Sequence, residues 1–406
     1  MSDAGSKPSG KSVAWQGAVL LVALAGIGLR VVPWAGFQRL GFDEGLYRNY
    51  VAELIQVGVP NYPDIAEHFV AVQEKLPGAV LPPTRFLYIF SAYLWHGVSG
   101  AGPLVALHHV STLFSILLLL VAGVFAWRLG GHVFGLAVLA LMAFAPTQIH
   151  MAQHALIDGF FAFWATLSLW FLWENLRRPS DWRWEAAYTV VLALAVLTKE
   201  NAAFMFFGLV VLLGVNRWTK FGRITPRLLL LTTAGPLLGL VMLIWLCGSV
   251  TTFVRIYQLL VGKASVLPYA IATGDGPWYR YLVDLLLVSP LILLLALGGL
   301  FRLRWANKPA LYLLVFLAGT YLVMCNVRYG MNLRYTNMWD MPLRYLAATC
   351  LVTLTQSVGR FRGAILVGSV VFLCLFDLRQ YYIFFVQHDL YELVTGGLLR
   401  ALLILK

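Results

Sequence analysis

The chain has 406 residues, 60% of them hydrophobic and only 12% charged, with a mean hydropathy of +0.78. Soluble domains carry about 25% charged residues, so this composition excludes a soluble globular protein and points to a chain that crosses a membrane repeatedly. The net charge of +12 does not imply nucleic acid as a partner, because the Lys and Arg residues sit in short loops between apolar runs, where they set topology.

The polar tail "MSDAGSKPSGKS" (1–12) leads into an apolar run at 13–32 with no small-residue cleavage site, which reads as an uncleaved anchor. About 20 apolar residues span the hydrocarbon as helix. Further runs lie at 103–127, 133–146, 156–173, 185–198, 202–215, 228–247, 281–301, 310–325, 341–358 and 364–376. One more helical stretch, "PPTRFLYIFSAYLWHGVSG", begins at Pro82. If it does not cross, then "ENLRRPSDWRW", "NRWTKFGRITPR", "RLRWANKP" and "GRFRG" all fall on the cytoplasmic side with Lys7 and Lys11, as the positive-inside bias demands. The expectation is an all-α polytopic protein of about eleven spans. A cytoplasmic tail covers 1–12 and a transmembrane domain 13–376. A first external loop at 33–102 carries juxtamembrane helices, and 377–406 forms an external or membrane-associated tail with no soluble domain. Cys247, Cys325, Cys350 and Cys374 lie in or beside apolar runs without CxxC spacing and read as core thiols.

Loop parity then places Asp43, Glu44, Asp158, Lys199, Glu200 and Arg334 on one face of the membrane. In "GFDEGLYRNYVAEL", Asp43 and Glu44 suit a helix start, where the dipole favours acids. They equally suit a carboxylate that takes a proton from an acceptor hydroxyl or holds a metal. The spacing puts Leu46, Tyr50 and Leu54 on one face of that helix. In "QIHMAQHALIDGFF", His150, His154 and Asp158 are each four apart and share a helical face. They form a polar stripe, a cavity wall or a ligand set for a divalent metal. The runs flanking "LTKENAAF" are 14 residues each, about 21 Å as helix, which places Lys199 and Glu200 below the outer surface. They pair with each other or face a lipid phosphate. Arg328 and Arg334 stand outside against the charge bias, where arginines meet anions. Arg255 and Lys263 are further bases of this kind.

The order of these features resembles a family. A first helix is followed by Asp-Glu in an external loop, "LPPTRFLYIF", "WRLGGHVFG", "AFAPTQIHMAQHALIDGFFAFWATLSLW", "LTKENAAF", "GDGPWYRYLVDLLLVSP" and "NLRYTNMWDMPLRYLA". It is similar to the GT-C-fold glycosyltransferases, among them the protein O-mannosyltransferases and the lipid A aminoarabinose transferases, over roughly 13–358. The resemblance implies a helical bundle whose first external loop covers a cavity, a polyprenyl-phosphate-linked sugar as donor, and transfer on the external face. It also implies roles: Asp43 as catalytic acid or base with Glu44 beside it, Asp158 as the second-loop acid, and Lys199 and Arg334 near the donor phosphate. The aminoarabinose transferases carry a lysine before Pro-Pro, where this chain has Leu81; the nearest base is Arg85, which takes that place as a phosphate ligand.

The expected activity is therefore inverting transfer of a hexosyl or pentosyl group to a protein hydroxyl, lipid or glycan, in a bacterial inner membrane with the site facing the periplasm. Membrane lipids are the surrounding partners, and a divalent ion at His150, His154 and Asp158 is an open cofactor. Two rivals stand beside this reading. A transporter would place charges at mid-membrane depth, whereas here they collect on one face. A non-catalytic scaffold of the same fold would keep its activity in cells when Asp43 becomes Asn.

Overall fold

The computed structural model describes residues 10–32, 40–78, 80–267, 270–271, 274–328 and 330–405. Most of the expected tail at 1–12, with Lys7, and the start of the first external loop at 33–39 lie outside the described residues. Among the described residues there is helix and no strand. By length and composition, four helical runs can cross a membrane, counting Leu333–Gln387 as one, and a fifth joins them if one bent pair is a single span. Trp15–Val31, Pro290–Leu300 and Lys308–Met324 are shorter apolar helices.

Helix α1 (Gly10–Val31) is followed in the first external loop by α2 (Phe42–Val57), α3 (Tyr62–Lys75) and α4 (Phe86–Ser99). The Pro82 stretch thus becomes a helix of 14 residues, about 21 Å long. Helix α2 buries Glu44, Tyr47, Val51 and Leu54, a stripe at three- and four-residue spacing. Leu46 and Tyr50, expected on that face, are only half-buried. Leu54 is shared by the two faces, and Tyr47 and Val51 take the buried places expected of Leu46 and Tyr50.

Next come α5 (Pro103–Gly130), α6 (His132–Ala143), α7 (Pro146–Gln153) and α8 (Ile157–Arg177). Several helices start at proline, whose missing N–H costs nothing in a first turn. Pro146 starts α7 after a bend of 55° from α6. The carbonyls freed at the end of α6 are met by two buried arginines. Arg30 donates to Met142 and Ala143 (2.9 and 3.1 Å), and Arg344 donates to Leu141 (2.9 Å). A cation at a helix C-terminus is also favoured by the dipole.

The chain continues through α9 (Trp182–Val196), α10 (Ala202–Thr219), α11 (Pro226–Leu246) and α12 (Val250–Ala264). Helices α9 and α11 pack closely because α11 presents Gly235 and Gly239, a small-xxx-small pair. A Cβ at Gly239 would lie 2.6 Å from the Ala193 carbonyl. The span expected at 281–301 is two helices, α13 (Arg280–Val288) and α14 (Pro290–Leu300), which part at Ser289 (φ −139°, ψ 63°) just before Pro290, whose ring removes a donor and disfavours the helical conformation of the residue before it. The remainder is α15 (Lys308–Met324), a 3₁₀ segment (Leu333–Trp339), α16 (Asp340–Thr355), α17 (Arg362–Tyr381) and α18 (Thr395–Ala401). The four cysteines are free and buried. The main core joins α5, α6, α8, α10, α15 and α16, and a second core ties α2 and α4 to α5 and α8.

Candidate active site

The external charges expected on one face converge on Arg334. This residue lies in the 3₁₀ segment, and its own N–H is capped by the Asn332 side chain (3.0 Å). The buried guanidinium meets three carboxylates. Its Nη2 donates to Asp43 (2.8 Å), and its Nε lies 3.3 Å from Glu392 and 3.9 Å from Asp158. Asp158, at the start of α8, pairs on its other oxygen with Lys199 from the turn between α9 and α10. The Lys199 ammonium also sits 3.9 Å from the centre of the Tyr335 ring, a cation–π contact. Beside this group, Arg85 pairs with Glu200 (3.0 Å) and donates to the Tyr47 hydroxyl. Burial disfavours the charged form of Arg85, but Glu200 and Tyr47 outweigh it and hold the guanidinium firmly protonated. Arg85 is a partner of Glu200, so the expectation that Lys199 and Glu200 pair with each other gives way to two crossed pairs.

The acids and bases nearly balance, and the balance is not fully satisfied by hydrogen bonds. Arg334 Nη1 and Nε are buried without a hydrogen-bond partner. Unmet donors on a buried charge are costly. Lys199 and Glu200 line a groove, a cavity of about 920 Å³ whose other walls are mostly apolar side chains from α9, α10, α11 and α12, among them Phe206, Leu243, Phe253 and Val261.

Other expected site residues stand elsewhere. Glu44 is buried with both oxygens engaged. One accepts from Gly41 N (2.7 Å), and the other accepts from Ala155 N (2.8 Å) and faces His154 Nδ1 at 3.2 Å. Burial raises the Glu44 carboxyl, but His154 and the two backbone donors pull it below its ordinary value. It is a clamp joining α2 to the α7–α8 junction, rather than a group free to take a proton. His150, His154 and Asp158 do not share a helical face. Helix α7 ends at Gln153, and His154 and Leu156 are extended, with φ −119° and −105°. His150 stacks on Phe385 and contacts the Tyr391 carbonyl (3.1 Å). A cation at Asp158 would meet Lys199 and Arg334. Among the described residues no three His, Cys, Asp or Glu side chains are arranged to hold a metal ion, so these donors do not fit the expected ligand set. Arg255 pairs with Glu74 (2.7 Å), and Lys263 caps the end of α3 through the carbonyls of Gln73, Glu74 and Leu76. Both bind α12 to α3 rather than reach the acid cluster.

A family model for dolichyl-phosphate-mannose-protein mannosyltransferase matches residues 50–261, more than half of the chain. The chain belongs to that family. The matched residues take in Arg85, Asp158, Lys199 and Glu200. No curated relative matches by sequence. Among solved structures, the chain is similar to ArnT from Cupriavidus metallidurans, apo and bound to undecaprenyl phosphate. It is 17–18% identical to it, covers 97–98% of this chain and 74–75% of that one, and has a TM-score of 0.51. It is also similar to the oligosaccharyltransferase AglB from Archaeoglobus fulgidus, in complex with an inhibitory peptide and a dolichol-phosphate. Here identity is 13%, 93% of this chain and 56% of that one are covered, and the TM-score is 0.53. The fold is that of the GT-C glycosyltransferases.

This mannosyltransferase-family chain also uses residues that its sequence did not announce. The stretch 388–405 folds back onto the site. Glu392 accepts from Asn332 (2.7 Å) as well as facing Arg334, Thr395 donates to Asp284, and Leu393 and Leu398 are fully buried. The Tyr391 ring packs against Gly41, where any Cβ would lie about 2.2 Å from it. The pairing of Gly41 with a distant tyrosine has no local signal.

Proposed function

We propose that this membrane glycosyltransferase moves a sugar from a polyprenyl-phosphate-linked donor to an acceptor hydroxyl on the external face of the membrane, with inversion. The observation that carries this reading is the junction of the apolar groove with the charged cluster at Lys199. A polyprenyl tail suits the apolar walls, and a phosphate suits the ammonium at the head. ArnT bound to undecaprenyl phosphate and AglB with a dolichol-phosphate are similar in fold, which supports a lipid-linked donor of this chemical kind. The transferred group is a hexose or a pentose, and the acceptor is a protein hydroxyl, a lipid or a glycan.

In this reading Asp43 accepts the acceptor's proton as its oxygen attacks the anomeric carbon. The bond from that carbon to the phosphate oxygen breaks, and the polyprenyl phosphate leaves with the electron pair. Asp43 is more exposed than Asp158, at 14% against 3%, as a base that meets an incoming acceptor must be. Arg334 holds it in place at 2.8 Å. Lys199 stabilises the charge that grows on the departing phosphate, and Asp158 holds Lys199. Glu44 positions the helix that carries Asp43.

The test is transfer from a radiolabelled polyprenyl-phosphate sugar in membranes holding wild type or Asp43→Asn, with and without EDTA. The expected result is transfer by the wild type and a loss of about 10²–10⁴-fold in the variant, the scale of general base catalysis. Equal transfer by the variant sinks the role of Asp43, and no transfer from any of several donor sugars sinks the donor class. The EDTA arm decides whether a divalent ion takes part.

A further inference from the structure

The end of the bundle remote from the acid cluster holds a second charged cavity that the proposed reaction does not use. Helix α16 begins at Asp340, beside the site, and Thr353 lies 13 residues further on, about 20 Å along the axis. There the turn between α14 and α15 and the last turns of α16 enclose about 190 Å³. The lining includes Arg302, Arg304, Asn307, Thr353 and Gln356. Arg302 and Arg304 are exposed, and among the described residues neither has a carboxylate partner. Arginines that line a concave pocket without an acid are set for an anion, and the guanidinium fork matches phosphate oxygens.

On the same helices, an apolar groove of about 140 Å³ lies between α14, α15 and α16, lined by Leu297, Leu300, Leu314, Leu317, Leu343 and Leu346. Leu346 precedes Thr349 and Cys350 of the polar pocket by three and four residues, so the two cavities lie about one helical turn apart along one face of α16. Phe301 and Trp305 flank the polar end at 93% and 66% exposure, as aromatics do at headgroup depth. The loop holding both arginines is one that charge bias places in the cytoplasm, where the leaflet is anionic.

We propose that this composite cavity binds one anionic phospholipid, its phosphate on Arg302 and Arg304 and an acyl chain in the groove of α14–α16. Neutral lipids lack the net charge that two unpaired guanidiniums select, and free phosphate leaves the apolar half empty. The proposal does not depend on the reaction assigned above.

The test uses the purified full chain in detergent. Native mass spectrometry counts retained phosphatidylglycerol and phosphatidylcholine of matched chains, and thermal shift follows both lipids and inorganic phosphate. Wild type is expected to retain one phosphatidylglycerol in preference to phosphatidylcholine. The double variant R302Q/R304Q loses that preference by roughly tenfold or more, at about 1 kcal/mol per arginine. Leu297→Trp, at a position 40% exposed, fills the groove and weakens retention of the lipid while its unliganded melting temperature stays that of the wild type. Equal retention of the two lipids by wild type overturns the proposal. So does undiminished phosphatidylglycerol retention in the double variant. Stabilisation by inorganic phosphate equal to that by the lipid also overturns it, in favour of a free-anion pocket.

Discussion

Two buried arginines sit ten residues apart in the chain, Arg334 in the 3₁₀ segment and Arg344 one turn into α16, and their surroundings differ. All three donor nitrogens of Arg344 are bonded, to the Leu141 carbonyl, Asp340 and Asp377, at 2.8–2.9 Å. Asp340 in turn accepts from Thr147 and Gln148, both at 2.6 Å. Nearby Arg30 is likewise fully used, by Ser115, Gly26, Ala143 and Met142. Arg334 faces three acids yet leaves two nitrogens without a hydrogen bond. The saturated charges hold a bend, whereas Arg334 keeps donor capacity that the protein itself does not fill with hydrogen bonds. A membrane interior makes either arrangement costly, so the two arginines should respond differently to substitution.

The comparison breaks first at Arg344. Arg344→Met strands Asp340 and Asp377 and frees the Leu141 carbonyl. Loss of one partner of a buried pair costs about 3–5 kcal/mol, and thermal unfolding in detergent should show a fall of that scale. If Arg344→Met melts like wild type, the saturated cluster is not what holds the α6–α7 bend. The unsaturated cluster should respond in rate instead. Lys199→Met is expected to lower kcat for sugar transfer by about 10²–10³-fold, the cost of losing one electrostatic stabiliser. Its melting temperature should fall less than that of Arg344→Met. Full kcat in this variant would remove Lys199 from the phosphate.

These expectations also show how far the sequence reached. Asp43, Asp158, Lys199 and Arg334 were legible because charges are scarce in this chain and loop parity placed all four on one face. The structure then gathers them within ion-pair distance of one another. The break at 154–156 was not legible, since neither Gly nor Pro marks it. What opens it is Glu44, 111 residues away, accepting from Ala155 N. The break at Pro290 did carry a local signal, and a reading by hydropathy alone runs through it. Glu392 was invisible for another reason. The segment 377–406 is more polar than the spans, and its return to the site rests on the burial of Leu393 and Leu398 and on the ion pair with Arg334, all set by tertiary packing.

Glu44 gives a smaller effect with a defined pH sense. Its carboxyl lies below the ordinary value of 4.5 in the folded chain. A depressed carboxyl stabilises the fold above that ordinary value, and the gain is lost as pH falls through the folded value. Wild type should therefore lose melting temperature in acid below about 4.5, and Glu44→Gln should lose less over that range, having no proton to gain there. At neutral pH the variant should be less stable by about 1–3 kcal/mol, the worth of hydrogen bonds to a charged group. A variant with the same acid slope as wild type would show that the Glu44 clamp is not linked to folding.

Arg255 should give the smallest effect, and it tests whether every external base offered by the sequence is a phosphate ligand. Its pair with Glu74 is about half exposed on both sides, at 47% and 45%. Exposed pairs contribute about 0.2–1 kcal/mol. Arg255→Gln should therefore shift the donor KM by about fivefold at most and leave kcat unchanged, because the side chain turns to α3 and not to Lys199. A donor KM raised tenfold or more with kcat intact would mean that Arg255 leaves Glu74 for the donor phosphate. The line drawn between saturated and unsaturated charges would then fail, because a cation already paired would be serving as the ligand.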